Sequence, residues 1–194
     1  MKDQIERELQ DLADAALETK AEAETIASVV SLMVERIRLG GTIYWCGNGG
    51  SAAEALHLST ELLGRLRFDR PAIRSVSLAA DPVFMTAASN DYSFEDVFER
   101  QVTALVGTND CLVAMSTSGN SENVVRAADR AKSQGALVIA FTGNSGGSLS
   151  DQADRTIRSH SEDTQHIQEI HLAVGHTICG MIEDVLYGKD AKNE

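Results

Sequence analysis

The chain has few cysteines and no sign of a disulfide framework. Cys46, Cys111 and Cys179 are the only three among 194 residues. Their number is odd, they are widely spaced and each lies in an apolar run, which argues against a disulfide framework or a cysteine-based zinc site. We expect reduced, buried thiols, which are typical of a cytoplasmic protein.

An excess of positive charge is also lacking. Seventeen Lys and Arg residues stand against 29 Asp and Glu residues, and the formal net charge is −12 at pH 7. Binding to nucleic acid or to an anionic membrane surface is therefore not expected. No apolar run approaches the length of a membrane span, and "MKDQIERELQDL" at the start is acidic and amphipathic, unlike a signal peptide. We expect a soluble, unprocessed, cytoplasmic chain.

Linkers, internal repeats and low-complexity tracts are absent from the sequence. A hydrophobic content of 43% with 24% charged residues suits one globular domain over residues 1–194. Apolar residues recur at helical spacing between residues 3 and 38, which predicts a helical hairpin or one long broken helix. We expect this segment, residues 1–39, to pack on the core or at a subunit interface.

Short apolar runs alternate with helical patterns along the rest of the chain. This alternation predicts the α/β class, with a five-stranded parallel sheet between layers of helices joined by right-handed crossovers. The predicted strands cover residues 42–46, 75–79, 111–116, 137–141 and 155–159. The predicted helices cover residues 51–64, 81–88, 94–106, 121–134 and 164–187.

Two predicted loops between a strand and a helix carry residues that suit an anionic ligand. Ligands of parallel sheets bind at the carboxyl ends of the strands, where backbone N–H groups are unpaired. The loop "CGNGGS" (46–51) has three glycines for tight turning, and Ser51 is expected to cap the next helix. The loop "STSGNS" (116–121) offers hydroxyls that, with helix N–H groups, form a phosphate cradle without lysine. Simple turn and cap roles are the alternative.

Neither loop has the spacing of a Walker or Rossmann motif, so nucleotide binding is the weaker interpretation.

His57 and Glu61 follow the first loop, four residues apart. Residues at this spacing share one helix face, and an imidazole with a carboxylate suits Zn²⁺. Such a pair is more often a surface hydrogen bond or a half-buried pair, so the spacing does not identify a metal site by itself.

Four stretches occur together in one order: "CGNGGSAAEALHLSTELLGR" (46–65), "ASND" (88–91), "STSGNS" (116–121) and "IQEIHLAVGH" (167–176). With them the chain resembles the phosphoheptose isomerases of the sugar-isomerase (SIS) domain family, over nearly its whole length. The resemblance implies a homotetramer of single domains, each a three-layer, flavodoxin-like sandwich. It further implies interconversion of sedoheptulose 7-phosphate and D-glycero-D-manno-heptose 7-phosphate, at the entry to bacterial surface-heptose synthesis.

The resemblance also implies one Zn²⁺ per subunit. The implied ligands are His57, Glu61, Gln168 and His176. Gln168 and His176 are eight residues apart, about 12 Å and 80° on an ideal helix. Either both side chains converge on one metal, or neighbouring subunits share the site. His171 between them is expected to be structural, and His160 and His166 are expected to face solvent.

An aldose–ketose isomerisation needs a base beside a carbonyl, stabilisation of the enediolate oxygen, and return of the proton one carbon along. Glu61 is the candidate base and His176 the candidate acid. The resemblance implies that hydroxyls of Ser116, Thr117, Ser118 and Ser121 hold the substrate phosphate. It implies sugar contacts from Asn48, Gly49, Gly50, Ser51, Glu61, Asn90, Asp91 and Gln168. Asn90 and Asp91 also fit a plain turn or helix cap.

Two rival hypotheses come from other functional classes. One is a non-catalytic SIS-domain protein that binds the bacterial replication initiator, and such a relative lacks the metal ligands. The other is a regulator that senses sugar phosphates, which would keep the phosphate cradle and lose the base. Because all four implied ligands are present, the sequence favours the enzyme.

Overall fold

Five parallel strands form the centre of the fold, in the order β2-β1-β3-β4-β5. The computed structural model describes residues 1–188. This order is the flavodoxin-like one, and it confirms the predicted α/β class with a five-stranded parallel sheet. The strands are β1 (Ile43–Gly47), β2 (Ser75–Ser77), β3 (Cys111–Ser116), β4 (Leu137–Thr142) and β5 (Arg155–Arg158).

Eight α-helices are formed by residues 1–188. They are α1 (Lys2–Glu18), α2 (Ala23–Arg38), α3 (Gly50–Leu63), α4 (Pro82–Asp91), α5 (Val97–Leu105), α6 (Glu122–Ser133), α7 (Gly147–Gln152) and α8 (Thr164–Tyr187). The short α7 was not predicted, because its glycines and serines are typical of a loop. None of the helices described in residues 1–188 has both the length and the apolar character needed to cross a membrane.

The N-terminal segment is one broken helix rather than a hairpin. A 3₁₀ turn, Thr19–Glu22, joins α1 to α2, and Thr19 keeps near-helical backbone angles of φ −62° and ψ −12°. Nearly all of α1 is exposed, and Ala15 is its one buried residue. The two helices therefore differ, because α2 contributes four buried apolar side chains to the core.

The two faces of the sheet carry different cores. Side chains alternate along a strand, so Ile43 and Trp45 face the layer of α2, α3 and α8, while Tyr44 and Cys46 face α4 to α7. The second layer is rich in alanine, including Ala127 of α6, which lets this helix lie close to the sheet. All three cysteines are free and buried, as predicted.

Helices α3 and α8 are held together by a buried carboxylate. Glu183 on α8 accepts hydrogen bonds from the backbone N–H groups of Leu66 (2.8 Å) and Arg67 (2.9 Å), just after α3. It also accepts one from Nε of Arg70 at 3.0 Å, and both side chains are at most 1% exposed. A buried charge that is fully hydrogen-bonded in this way fixes the two chain segments relative to each other.

Candidate active site

The loops after β1 and β3 are joined by a reciprocal pair of amides. Asn48 donates to Oδ1 of Asn123 at 2.8 Å, and Asn123 donates back to Oδ1 of Asn48 at 2.9 Å. Asn123 is buried in the first turn of α6, beside Val124. Sequence reasoning missed it, although a polar residue on the apolar face of a helix was a usable signal. The pair holds the two candidate loops together at one edge of the sheet.

The glycines of the loop after β1 leave space for neighbouring groups. Gly49 has φ +56° and is the N-cap of α3, so the helix begins at Gly50. The expectation that Ser51 caps this helix was wrong, because the glycine conformation starts the helix earlier and leaves Ser51 buried inside it. A Cβ on Gly50 would collide with the amide of Gln168, so this side chain could not keep its position if residue 50 were larger than glycine.

Three hydroxyls meet in the loop after β3. Ser116 Oγ lies 3.0 Å from Ser121 Oγ and 3.4 Å from Ser118 Oγ. Ser121 is the N-cap of α6, but its side chain makes no capping hydrogen bond and stays in the cluster. The unpaired N–H groups and positive dipole end of α6 lie at the same point. This cluster, Ser116, Ser118 and Ser121, is chemically suited to a phosphate group.

A polar cavity adjoins this hydroxyl cluster. It has a volume of about 350 Å³, and Thr117 and Ser118 line it together with Asn144, Ser161 and Glu162 from the loops after β4 and β5. Its size and lining fit a small polar molecule better than an apolar one. The cluster therefore opens onto space at the edge where parallel sheets bind ligands.

His57, Glu61 and His176 form a compact donor group between α3 and α8. His57 Nε2 lies 2.7 Å from His176 Nε2 and 3.2 Å from Glu61 Oε1, and one donor atom from each residue lies within 4.8 Å of the others. The Glu61 side chain is 16% exposed and that of His57 is 47% exposed. The predicted pairing of His57 with Glu61 on one helix face is thus accompanied by His176 from the adjacent helix.

The donor group fits a divalent cation on geometric grounds. Ligand atoms in a tetrahedral zinc site with bonds of about 2.0–2.1 Å lie about 3.3 Å apart. The separation of 3.2 Å between His57 and Glu61 is close to this value, and the 2.7 Å between His57 and His176 is shorter, as in a hydrogen bond. Two imidazole nitrogens and a carboxylate oxygen are also ligand types that zinc prefers. Glu61 and His176 are open enough to reach a substrate as well.

Three other predicted site residues lie on neighbouring elements. Gln168 is half-buried on α8 with its amide against Gly50, and its role as the fourth ligand stays a prediction. Asn90 and Asp91 are exposed in the last turn of α4, where Asn90 donates to Oδ1 of Asp91 at 2.9 Å. The helical elements that follow have Ser93 and Asp96 as their N-caps, so neither residue is a helix cap. Their contact with the sugar also stays a prediction.

The remaining histidines differ sharply in their surroundings. His171 is fully buried, as expected for a structural residue, and burial lowers its pKa to about 4. The expectation that His166 faces solvent was wrong. It is 7% exposed because α1 covers the first turn of α8, where Glu8 Oε2 lies 3.7 Å from its Nε2. His160 is half-buried, with its Nε2 3.6 Å from Glu22 Oε1.

Glu54 is a buried carboxyl that the sequence reasoning missed. It lies on α3, one turn before His57, and is 7% exposed. Burial raises its pKa to about 8, and a hydrogen bond with Ser51 opposes this shift only in part. Its Oε2 atom has no hydrogen-bond partner within residues 1–188. Glu54 is therefore largely protonated near neutral pH and adds little negative charge behind the donor group.

Comparison with known proteins gives one consistent answer. The family model for the SIS domain matches residues 6–143. Phosphoheptose isomerase of Rhodospirillum rubrum is 42% identical over 186 residues, 96% of this chain and 99% of its own, and that of Akkermansia muciniphila is 39% identical over 188 residues, 97% and 100%. A solved phosphoheptose isomerase from Neisseria gonorrhoeae superposes with a TM-score of 0.90 at 34% identity, covering 95% of this chain and 99% of that one.

Proposed function

Since this chain belongs to the phosphoheptose isomerases, a family of SIS-domain proteins, we propose that it converts sedoheptulose 7-phosphate to D-glycero-D-manno-heptose 7-phosphate. The observation that carries the proposal is the presence, in one domain, of two polar sites that each suit one end of a sugar phosphate. One is the donor group of His57, Glu61 and His176, and the other is the hydroxyl cluster at the start of α6. Together they suit a substrate with a carbonyl at one end and a phosphate at the other.

We propose that the donor group binds one Zn²⁺ per subunit, with Gln168 as the fourth ligand. The spacing of the three donor atoms supports this assignment. When bound, the metal would polarise the substrate carbonyl and stabilise the negative charge that develops on its oxygen.

Glu61 and His176 supply the proton transfers in this proposal. The Glu61 carboxylate removes a proton from C1 of the open-chain ketose, and an enediolate forms across C1 and C2. His176 moves the hydroxyl proton from O1 to O2, which leaves the new carbonyl at C1. Glu61 then returns its proton to C2, so the aldose forms with no net gain or loss of protons.

The substrate phosphate is assigned to the hydroxyls of Ser116, Ser118 and Ser121, with Thr117 beside them. The Ser121 hydroxyl, which makes no capping hydrogen bond, and the N-terminal end of α6 support this assignment. The assigned sugar contacts are Asn48, Gly49, Gly50, Ser51, Glu61, Asn90, Asp91 and Gln168. Among these, Asn48 keeps one N–H and one lone pair outside its pair with Asn123, which suits a sugar hydroxyl.

We also propose a homotetramer that acts in the cytoplasm, in the first step of bacterial surface-heptose synthesis. Support for self-association comes from α1, whose Ile5, Leu9 and Leu17 are more than half exposed. An apolar groove continues this surface between the N-terminal helices and α8, where Ile26, Val174 and Met181 line it. Apolar surface of this kind is typical of an interface between subunits.

The test is turnover of sedoheptulose 7-phosphate by the purified chain, followed by proton NMR in D₂O. We expect the aldose to appear and deuterium to enter at the carbon that receives the returning proton. Chelator treatment should abolish turnover and added Zn²⁺ should restore it, with metal content measured alongside.

Absence of turnover by zinc-loaded protein would contradict the proposal. Tight binding of the substrate without turnover would instead favour the sugar-phosphate sensor. The rival that binds a replication initiator needs neither metal nor substrate, so bound zinc would argue against it.

A further inference from the structure

His171 connects α8 to the end of a sheet strand. Its Nε2 lies 3.1 Å from the backbone oxygen of Thr142, the last residue of β4. A carbonyl oxygen can only accept, so Nε2 of His171 carries the hydrogen and donates it. The same oxygen accepts the backbone N–H of Ser159 at 2.9 Å. All three residues are fully buried, so this contact is shielded from water.

The next residue carries the connection to the phosphate loop. The N–H of Gly143 donates to the backbone oxygen of Thr117 at 3.0 Å. A Cβ on Gly143 would lie 2.6 Å from that oxygen and 2.8 Å from Cδ1 of Ile167 on α8. The first turn of α8, the end of β4 and the loop of residues 116–121 are therefore in direct contact at a glycine.

We propose that His171 is a positioning residue for the isomerisation, because it fixes α8 at a set distance from the phosphate loop. The inference rests on the proposed function. A sugar phosphate held by the hydroxyl cluster presents its carbonyl to Glu61 and His176 only if the two sites keep their separation. An error of about 1 Å in such a separation can cost about 10²-fold in rate.

Two other sets of hydrogen bonds near the site join different elements of the fold. Glu183 joins α8 to the segment after α3, so the donor group stays together without His171. The pair of Asn48 and Asn123 joins the glycine loop to α6. Only the contact through Thr142 and Gly143, among these three, runs from α8 to the phosphate loop. Loss of the His171 donor should therefore change the distance between the sites while each site stays intact.

Two variants and a control separate positioning from plain stability. His171→Leu removes the donor, and Thr142 keeps its bond from Ser159, so no buried carbonyl is left unpaired. His171→Gln places an amide N–H at nearly the same reach. Ile178→Val is the control, since Ile178 is a buried residue on the same helix and the change lowers stability modestly without touching the connection.

Five quantities are measured on each variant, with zinc-loaded protein for all but the zinc affinity. They are kcat and KM for sedoheptulose 7-phosphate, the Kd of inorganic phosphate, the Kd of Zn²⁺, and the Kd of the heptitol 7-phosphate, an alcohol that cannot isomerise. For His171→Leu we expect kcat/KM to fall about 10- to 100-fold, chiefly in kcat, and heptitol phosphate to bind about tenfold more weakly. Phosphate and zinc should bind within about threefold of wild type. His171→Gln should recover most of the loss.

The inference is overturned if wild type is active and His171→Leu matches Ile178→Val in kcat and in heptitol phosphate affinity. It is also overturned if His171→Leu weakens phosphate or zinc binding as much as heptitol phosphate binding, because His171 would then support a single site. A wild-type protein that neither turns over the substrate nor binds heptitol phosphate contradicts the proposed function, and this inference with it.

Discussion

The glycine loop after β1 and the hydroxyl loop after β3 occupy equivalent places, yet they are built in opposite ways. Both follow fully buried strands that are neighbours in the sheet, and both lead into a helix. In the first loop, Gly49 is the N-cap of the helix, has a positive φ and provides no side-chain cap. The second begins its helix at Ser121 and gathers three hydroxyls.

The difference indicates a division of tasks between the loops. Gly50 leaves space that the Gln168 amide occupies, so the first loop brings two helices and their functional side chains close together. The second loop presents donors itself, at the positive end of a helix dipole. Substitutions on the side of the first loop should therefore affect the chemistry, and those in the second should affect binding.

The largest effect is expected on the side of the glycine loop. Glu61→Gln keeps the size of the side chain but cannot accept a proton, so kcat should fall by about 10²–10⁴. Substrate binding should survive, and deuterium exchange into the sugar should slow in step with isomerisation. The measurement is NMR turnover on protein of verified zinc content. Wild-type rates of both processes would place the base elsewhere, and His176 would be the next residue to test.

On the side of the hydroxyl loop, Ser118→Ala or Ser121→Ala should chiefly raise KM. A hydrogen bond to a charged group is worth about 1.5–3 kcal/mol, which corresponds to about 10- to 150-fold in affinity. The phosphate does not react, so kcat should change little. Ser133→Ala at the other end of α6, where the hydroxyl bonds only to Arg130 O, is the control. An unchanged KM together with unchanged phosphate affinity would refute this assignment.

The hydrogen-bonded pair of Asn48 and Asn123 should contribute to the stability of the fold. Asn123→Ala leaves the Asn48 amide without its partner, and we expect the free energy of unfolding to fall by about 1–3 kcal/mol. Urea denaturation of Asn48→Ala, Asn123→Ala and the double variant measures the coupling. The two losses should be clearly less than additive, by about 0.5 kcal/mol or more. Additive losses would mean that the amides do not act as a pair.

The last expected effect is a pH dependence of stability that comes from Glu54. Its pKa rises from 4.5 to about 8 on folding, so between these values the unfolded chain binds fewer protons than the native one. Stability from this group is present below pH 4.5 and is lost as the pH rises towards 8. Glu54→Gln should thus gain stability relative to wild type at pH 8 and change little at pH 5, measured by urea denaturation.

Glu35→Gln, at an exposed position of α2, is the matched control for this pH dependence. It should show no comparable difference between the two pH values. If Glu54→Gln and Glu35→Gln behave alike, the native pKa of Glu54 is not raised.

Periodicity predicted most of the fold because strands and long helices have strong repeating patterns. All five strands appear within about two residues of their predicted bounds, as do the bounds of α3, α6 and α8. The short α7 has too few residues to show a helical period. Ser51 was misassigned because a positive φ at Gly49 leaves no trace in the residue types around it.

Less of the candidate site could be predicted from the sequence alone. The i, i+4 spacing predicted that His57 and Glu61 share a helix face, but their meeting with His176 depends on how α3 packs against α8. The burial of Glu54 and of His166 also arises from tertiary packing, which residue type does not encode. Asn123 was missed because its partner lies 75 residues away.

The reactivity of the three free thiols can report local unfolding in each helical layer of the fold. Cys46 lies in the layer of α4 to α7, whereas Cys111 and Cys179 lie in the layer of α2, α3 and α8. Burial raises the pKa of Cys46 and of Cys179 to about 12, and that of Cys111 is raised as well. An alkylating reagent reacts with the thiolate, and burial both disfavours the thiolate and blocks access to the sulfur. Each cysteine should therefore react only during a transient opening of the layer that contains it. The chain thus carries natural probes of local unfolding on both sides of its sheet.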